Sequence, residues 1–160
     1  GIDSTYDSYE FHYVNMHPAT DNVDFQFQVN AAGQSGFNEV MTTTAFHAYH
    51  SEADDSANVA YSTSKDQAQG TAYQPIFSYG VGNAADESTS GILTLYAPSS
   101  TTYVKHFTSN GNGYHSSDYS INFYYAGYIN VTAAIDEISF KFASGNIDAG
   151  VIKMYGIAKA

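Results

Sequence analysis

The sequence predicts an all-β chain: an antiparallel two-sheet β-sandwich, jelly-roll-like, with about eight or nine strands. Three observations carry this expectation. Fifteen Tyr and ten Phe stand among 160 residues, and aromatic and β-branched side chains fit a pleated, half-buried surface. Apolar positions recur at every second residue, without a helical stripe. Clusters of Gly, Ser, Thr, Asn and Pro interrupt these runs at short intervals, as tight turns between short strands require. A closed barrel is the rival architecture. No repeat suggests a solenoid or propeller. A chain of this length buries enough surface for one core, so residues 1–160 are expected to form a single domain.

Each element follows in turn. Tyr9, Phe11 and Tyr13 alternate with Glu10 and His12, and Pro18, Asp21 and Asn22 supply a turn. Residues 23–29 form the clearest strand, with Val23, Phe25, Phe27 and Val29 on one face and Asp24, Gln26 and Gln28 on the other. "NAAGQSG" at 30–36 turns the chain into a strand over 42–49. The polar stretch 50–72 reads as a long surface excursion with one short strand, anchored by Val59 and Tyr61. Strand character resumes over 73–81, where Pro75 belongs at an edge or at the strand's start because it cannot donate to a ladder. A polar loop over 82–91 precedes five further strands, at 92–97, 102–108, 119–129, 135–143 and 151–158. Gly145 and Gly150 are expected to bracket a turn, where they adopt positive φ cheaply. The run 151–157 is apolar on nearly both faces, so it is expected to be central in a sheet, paired on both edges and packed on both faces.

Charge narrows the partners. Sixteen Asp and Glu stand against five Lys and no Arg, for a formal net charge of -11, so a phosphate backbone is repelled and nucleic acid is excluded as a partner. The same excess disfavours an anionic membrane surface, and no apolar stretch approaches the roughly 20 residues a bilayer span needs, so no membrane insertion is expected. Such acidity keeps a surface dispersed in salty water. Without Cys there is neither a disulfide nor a thiolate for catalysis or metal binding. No signal-like apolar segment opens the chain. With no initiator Met, Gly1 is a processing point or the start of a piece of something longer.

The chemistry-bearing residues are sparse. His47 and His50 in "HAYH" sit three apart, which on a strand places them on opposite faces, so they are not expected to share a metal ion. Asp54 and Asp55, with Ser51, Glu52 and Ser56 nearby, and Asp86 with Glu87, supply oxygen ligands, but neither stretch has the spacing of a calcium loop. Solvated acidic loops are expected, with no metal and no cofactor. There is no G-x-S-x-G elbow, and no motif fixes a carboxylate pair for glycoside cleavage; a surface hydrolase ranks last.

The best binding candidate is "NGNGYHSSDY" at 110–119. Its Asn and Gly residues suit a sharply turned tip presenting Tyr114 and His115 beside Asn110, Asn112 and Asp118, a set that could stack on a sugar ring and bond its hydroxyls. The competing reading has Tyr114 cover the end of the sandwich or pack on a neighbouring subunit. Tyr124, Tyr125 and Tyr128 join Phe123 in one strand, which makes both its faces aromatic and fits either an oligomer or a thick core.

Three segments carry a family resemblance: "IDSTYDSYEFHYVNMHPATDNVDFQFQV" at 2–29, "GILTLYAPSS" at 91–100 and "AIDEISFKFASGNIDAGVIKMYGI" at 134–157. In order and spacing they resemble a domain of tailed-phage virion structural proteins, especially marine ones, although the middle, roughly 50–90, carries little of the pattern. Met154 stands where that family more often has Leu. The resemblance implies a non-enzymatic virion surface component, a tail fibre, appendage or capsid decoration protein. It implies assembly with other copies, often as a homotrimer, and with other virion proteins; a host surface glycan is the further partner expected where a fibre tip touches host sugar. The alternative is a carbohydrate-binding module of a larger surface protein.

Overall fold

The computed structural model describes residues 1–159, which form ten antiparallel strands and no helix. They are β1 (Ser8–Pro18), β2 (Val23–Ala31), β3 (Met41–Ser51), β4 (Ala57–Tyr61), β5 (Gln74–Val81), β6 (Thr89–Tyr96), β7 (Lys105–His115), β8 (Tyr119–Ile129), β9 (Ile135–Phe142) and β10 (Ile147–Ile157). The larger sheet runs β10-β1-β6-β7-β8-β3-β4, and the smaller runs β9-β2-β5. They join at one corner, where Val81 of β5 pairs with His115 at the end of β7. Along the chain, β1 to β2, β2 to β3, β4 to β5, β5 to β6, β8 to β9 and β9 to β10 each cross between layers, the habit of a jelly roll. The expected sandwich stands, with ten strands rather than eight or nine.

Rings from the two layers interdigitate to make the core. Tyr13 of β1 meets Phe25 of β2 at 5.4 Å between centroids, Phe11 meets Phe140 at 5.6 Å, Phe27 meets Phe107 at 4.9 Å, and Phe77 meets Phe123 at 5.6 Å. The offset and edge-on geometries suit the ring quadrupoles. The excursion after β4 seals one side of the sandwich through buried amides. The Gln74 side chain donates to the carbonyls of Lys65 and Pro75, and its oxygen accepts from Thr43 Oγ1 at 2.8 Å and from Gln67 at 3.1 Å. Gln28 donates towards the carbonyls of Glu39, Thr71 and Ala72. Pro75 lies at the start of β5, as its missing N–H requires.

Three expectations need correction. β7 runs through the "NGNG" segment instead of ending near residue 108, so Gly111 and Gly113 are strand residues. A Cβ on Gly111 would lie 2.2 Å from the Tyr13 hydroxyl, and one on Gly113 would lie 2.6 Å from the Phe77 ring; glycine here admits rings from other strands rather than a turn. β10 is an edge strand, paired with β1 alone. Its Val151, Met154, Tyr155 and Ile157 are exposed, because the three-stranded layer is too narrow to cover the larger sheet, which overhangs it at β10 and at β4. Both glycines have the positive φ expected, 70° at Gly145 and 123° at Gly150, but the turn expected between them is absent: β10 begins at Ile147, so Gly150 is a strand residue. Gly150 lies beside the bulge of β1, where Asn15 also has positive φ.

Candidate functional site

Strand alternation divides the five predicted binding residues. Along β7, buried positions alternate with exposed ones, so Asn110, Asn112 and Tyr114 face outward while His115 faces into the sandwich. Tyr114 and His115, adjacent in sequence, cannot converge on one ligand. Asn110 and Asn112 are also engaged across the hairpin. The Asn112 amide donates to Ser120 Oγ and to the carbonyl of Ile121, both at 3.0 Å, and Asn110 reaches the Phe123 carbonyl at 3.4 Å.

The outward members lie on two depressions of the outer face. Asn112 and Tyr114 line one of about 290 Å³ with His50, Glu52 and Ser120. The Tyr114 hydroxyl donates to Asp118 at 3.3 Å, and the carboxylates of Glu52 and Asp118 push its pKa up to about 12, so it stays a neutral donor. Asn110 lines a shallow groove of about 360 Å³ with Phe46, Ile92, Thr108, Tyr124 and Ala126. Phe46 and Tyr124 stack there at 4.8 Å and 9°.

That groove belongs to a surface of unusual composition. The outward positions of β4, β3, β8, β7, β6, β1 and of β10 from Val151 onward carry Val59, Tyr61, Phe46, Tyr124, Tyr128, Ile92, Tyr96, Val14, Val151 and Tyr155. Val59 is 72% exposed and Tyr155 46%. Of the chain's sixteen carboxylates, Glu10 alone projects from these positions, and it contacts His12 at 2.9 Å. The remaining carboxylates occupy the loops, the rim and the smaller layer.

His115 joins a different site. Between the open ends of the layers, His47 and Tyr49 of β3, Tyr79 of β5, His115 of β7 and Tyr119 and Ile121 of β8 line a cleft of about 270 Å³. Its rings brace one another: His47 against Tyr79 at 5.0 Å, Tyr49 against Tyr119 at 5.5 Å, and His115 against Tyr119 at 5.7 Å. Tyr79 is aimed by a bulge, for Phe25 pairs with Phe77 whereas Val23 pairs with Val81. Within it Tyr79 has φ 65° and Gly80 φ 93°, a conformation that a bulky residue rarely adopts. His47 is 6% exposed. Its Nδ1 lies 2.7 Å from Ser62 Oγ, and no side-chain or backbone partner among the described residues engages its Nε2. Burial lowers the pKa of His47, and also that of His115, where the Tyr79 carbonyl and the charges of Asp21 and Glu87 offset part of the effect. His115 Nδ1 accepts the Ser117 N–H at 2.9 Å.

His47 and His50 do face opposite sides, and among the described residues no group of three His, Asp or Glu is placed to hold a metal ion. The acidic loops bond themselves: Asp55 accepts from Ser51 Oγ at 2.7 Å, and Glu87 accepts the Ala84 N–H at 2.6 Å. The sequence singled out His115, in a candidate segment that ends on Tyr119, and His47 only for metal; it did not single out Tyr49 and Tyr79, which arrive from β3 and β5. The one local signal is "YG" at 79–80, where a glycine inside a strand run marks a bulge. No family model, no curated protein and no solved structure matches the chain.

Proposed function

We propose that this chain is a non-enzymatic structural module of a tailed-phage virion, displayed on the particle's outer surface and assembled with copies of itself through the outer face of the larger sheet. The observation that carries the assembly is the charge distribution. A chain of net charge -11 repels its own copies wherever carboxylates meet, and like charges brought together across an interface cost several kcal/mol. On the outer face only Glu10 projects from the strand positions, while Glu52 and Asp118 stay at the end where β3, β7 and β8 turn, so copies that meet over its middle bring the fewest carboxylates together. Phe46 lies opposite both Tyr61 and Tyr124 across neighbouring strands, and with exposed Val59 they form a contiguous apolar patch, the kind that marks an interaction site. The virion assignment and the homotrimer rest on the three phage-like segments, which include the overhanging β10.

The aromatic cleft favours a second reading, a carbohydrate-binding module of a larger surface protein. The two are compatible where a displayed module touches host surface sugar. Sedimentation of the purified chain together with peptide mass spectrometry of purified virions tests the first reading: an oligomer found in particles supports it. A strictly monomeric chain that is missing from virions ends it.

A further inference from the structure

We infer that the cleft framed by His47, Tyr49, Tyr79, His115 and Tyr119 binds a single neutral pyranose unit. The inference does not depend on the virion reading. A volume of about 270 Å³ lies just under the range of about 300–1,000 Å³ typical of small-molecule pockets, so the cleft suits one ring better than a chain of them. Its walls are ring faces and edges, onto which the apolar C–H face of a pyranose packs, while the sugar's rim of hydroxyls needs a few fixed polar groups.

Those polar groups are present. The His47 side chain is more than nine-tenths buried, its Nε2 has no side-chain or backbone partner among the described residues, and that atom is not sealed from solvent, so a ligand in the cleft can bond it. With Nδ1 engaged by the Ser62 hydroxyl, the proton on the imidazole can sit on either nitrogen. A sugar hydroxyl satisfies Nε2 in both cases, because it donates as readily as it accepts. The second sign is strain. Holding a Tyr at φ 65° costs on the order of 1–3 kcal/mol, and such residues cluster at ligand clamps; here the strain turns a ring into the cleft and places it 5.0 Å from His47.

Charge selects among ligands. The Lys65 ammonium, paired with Asp24 at 2.6 Å, already lies 5.5 Å from the centre of the Tyr79 ring, so the cation position on that ring is filled and a cationic guest gains little from it. Asp21 and Glu87, whose charges are felt at His115, repel an anionic sugar. A neutral sugar meets neither penalty.

The test is saturation-transfer NMR with glucose, galactose, mannose and N-acetylglucosamine, backed by tyrosine fluorescence, which no Trp obscures. At least one sugar should bind with Kd of about 1–10 mM, which corresponds to roughly 3–4 kcal/mol. Tyr79→Gly removes the ring and the strain together, so it should keep or raise the melting temperature while weakening binding at least about tenfold. His47→Phe keeps a ring and removes Nε2, and should weaken binding as well, whereas Tyr124→Ala on the outer face should leave it unchanged. Three results would overturn the inference: no binding by any of the four sugars, undiminished binding by folded Tyr79→Gly, or binding of tetramethylammonium in their place. A monomer that binds sugar keeps this inference and removes the assembly reading; an oligomer that binds none does the reverse.

Discussion

Gly111→Ala should destabilise the fold through one identifiable contact. Gly91 and Gly111 pair across β6 and β7 and leave a slot for the Tyr13 hydroxyl, which comes from β1 and is fully buried. A Cβ on Gly111 would sit 2.2 Å from that oxygen and 3.2 Å from the Ser90 carbonyl. Tyr13 cannot retreat, because Phe25 stands 5.4 Å behind its ring. Overpacking of this kind costs about 1–3 kcal/mol, and replacing Gly by Ala recovers about 0.4–1 kcal/mol by restricting the unfolded chain, so the net loss is centred on about 1 kcal/mol within a span of about 0–2.6 kcal/mol. The Tyr13 hydroxyl has no hydrogen-bond partner. Ser109 Oγ lies near enough to offset part of the burial that pushes the phenol's pKa up to about 12, yet it too is unbonded. Tyr13→Phe should therefore be close to neutral, since it sheds the desolvation of an unpaired group. It should also relieve Gly111→Ala, giving a coupling energy of about 1 kcal/mol or more. Urea unfolding of the parent, both single variants and the double variant reads this directly. If the two changes simply add, with no coupling between them, the slot is not what the glycine provides.

Lys105 is fully buried and its ammonium donates to the carbonyls of Tyr103 at 2.9 Å, Val131 at 3.2 Å and Thr132 at 3.1 Å; Lys105→Met should lower the urea midpoint by the equivalent of about 2–4 kcal/mol, because three carbonyls lose their donor. His47 and His115 both have pKa values lowered by burial from the ordinary 6.5, so the unfolded chain takes up protons first on acidification. Their contribution is intact above about pH 6.5 and is lost as the pH falls through it, and His47→Gln/His115→Gln should show a shallower decline in melting temperature between about pH 7 and 5 than the parent. Because the copies are like-charged and the proposed interface carries few charges, raising salt should strengthen assembly by screening repulsion, the opposite of an interface held by ion pairs; sedimentation at two salt concentrations checks the sign.

The architecture was legible where the physics is local. β2 announces itself because Phe25 and Phe27 alternate with Asp24 and Gln26, a pattern that only a two-faced strand explains. "NGNG" misled because its glycines answer to Tyr13 and Phe77, residues distant in sequence, and nothing nearby distinguishes a glycine that admits a ring from one that turns a chain. β10 misled for a related reason: apolar residues on both faces signal two contact surfaces without saying that both belong to the same chain. Within the candidate site, the opposite orientations of Tyr114 and His115 follow from the two-residue period once β7 is known to extend through them. Tyr119 joins His115 through the local β7–β8 hairpin, but the rest of the cleft was illegible, because Tyr49 and Tyr79 reach it only through the order of strands in space.

The account turns on whether the nearly carboxylate-free outer face joins copies of this chain. Sedimentation equilibrium on the parent and on Phe46→Asp/Tyr124→Asp measures it most directly, since both side chains are exposed and stacked on that face. An oligomeric parent and a monomeric variant with the same circular dichroism spectrum is the predicted result. A variant that retains the parent's mass, or a parent that is monomeric throughout, contradicts it.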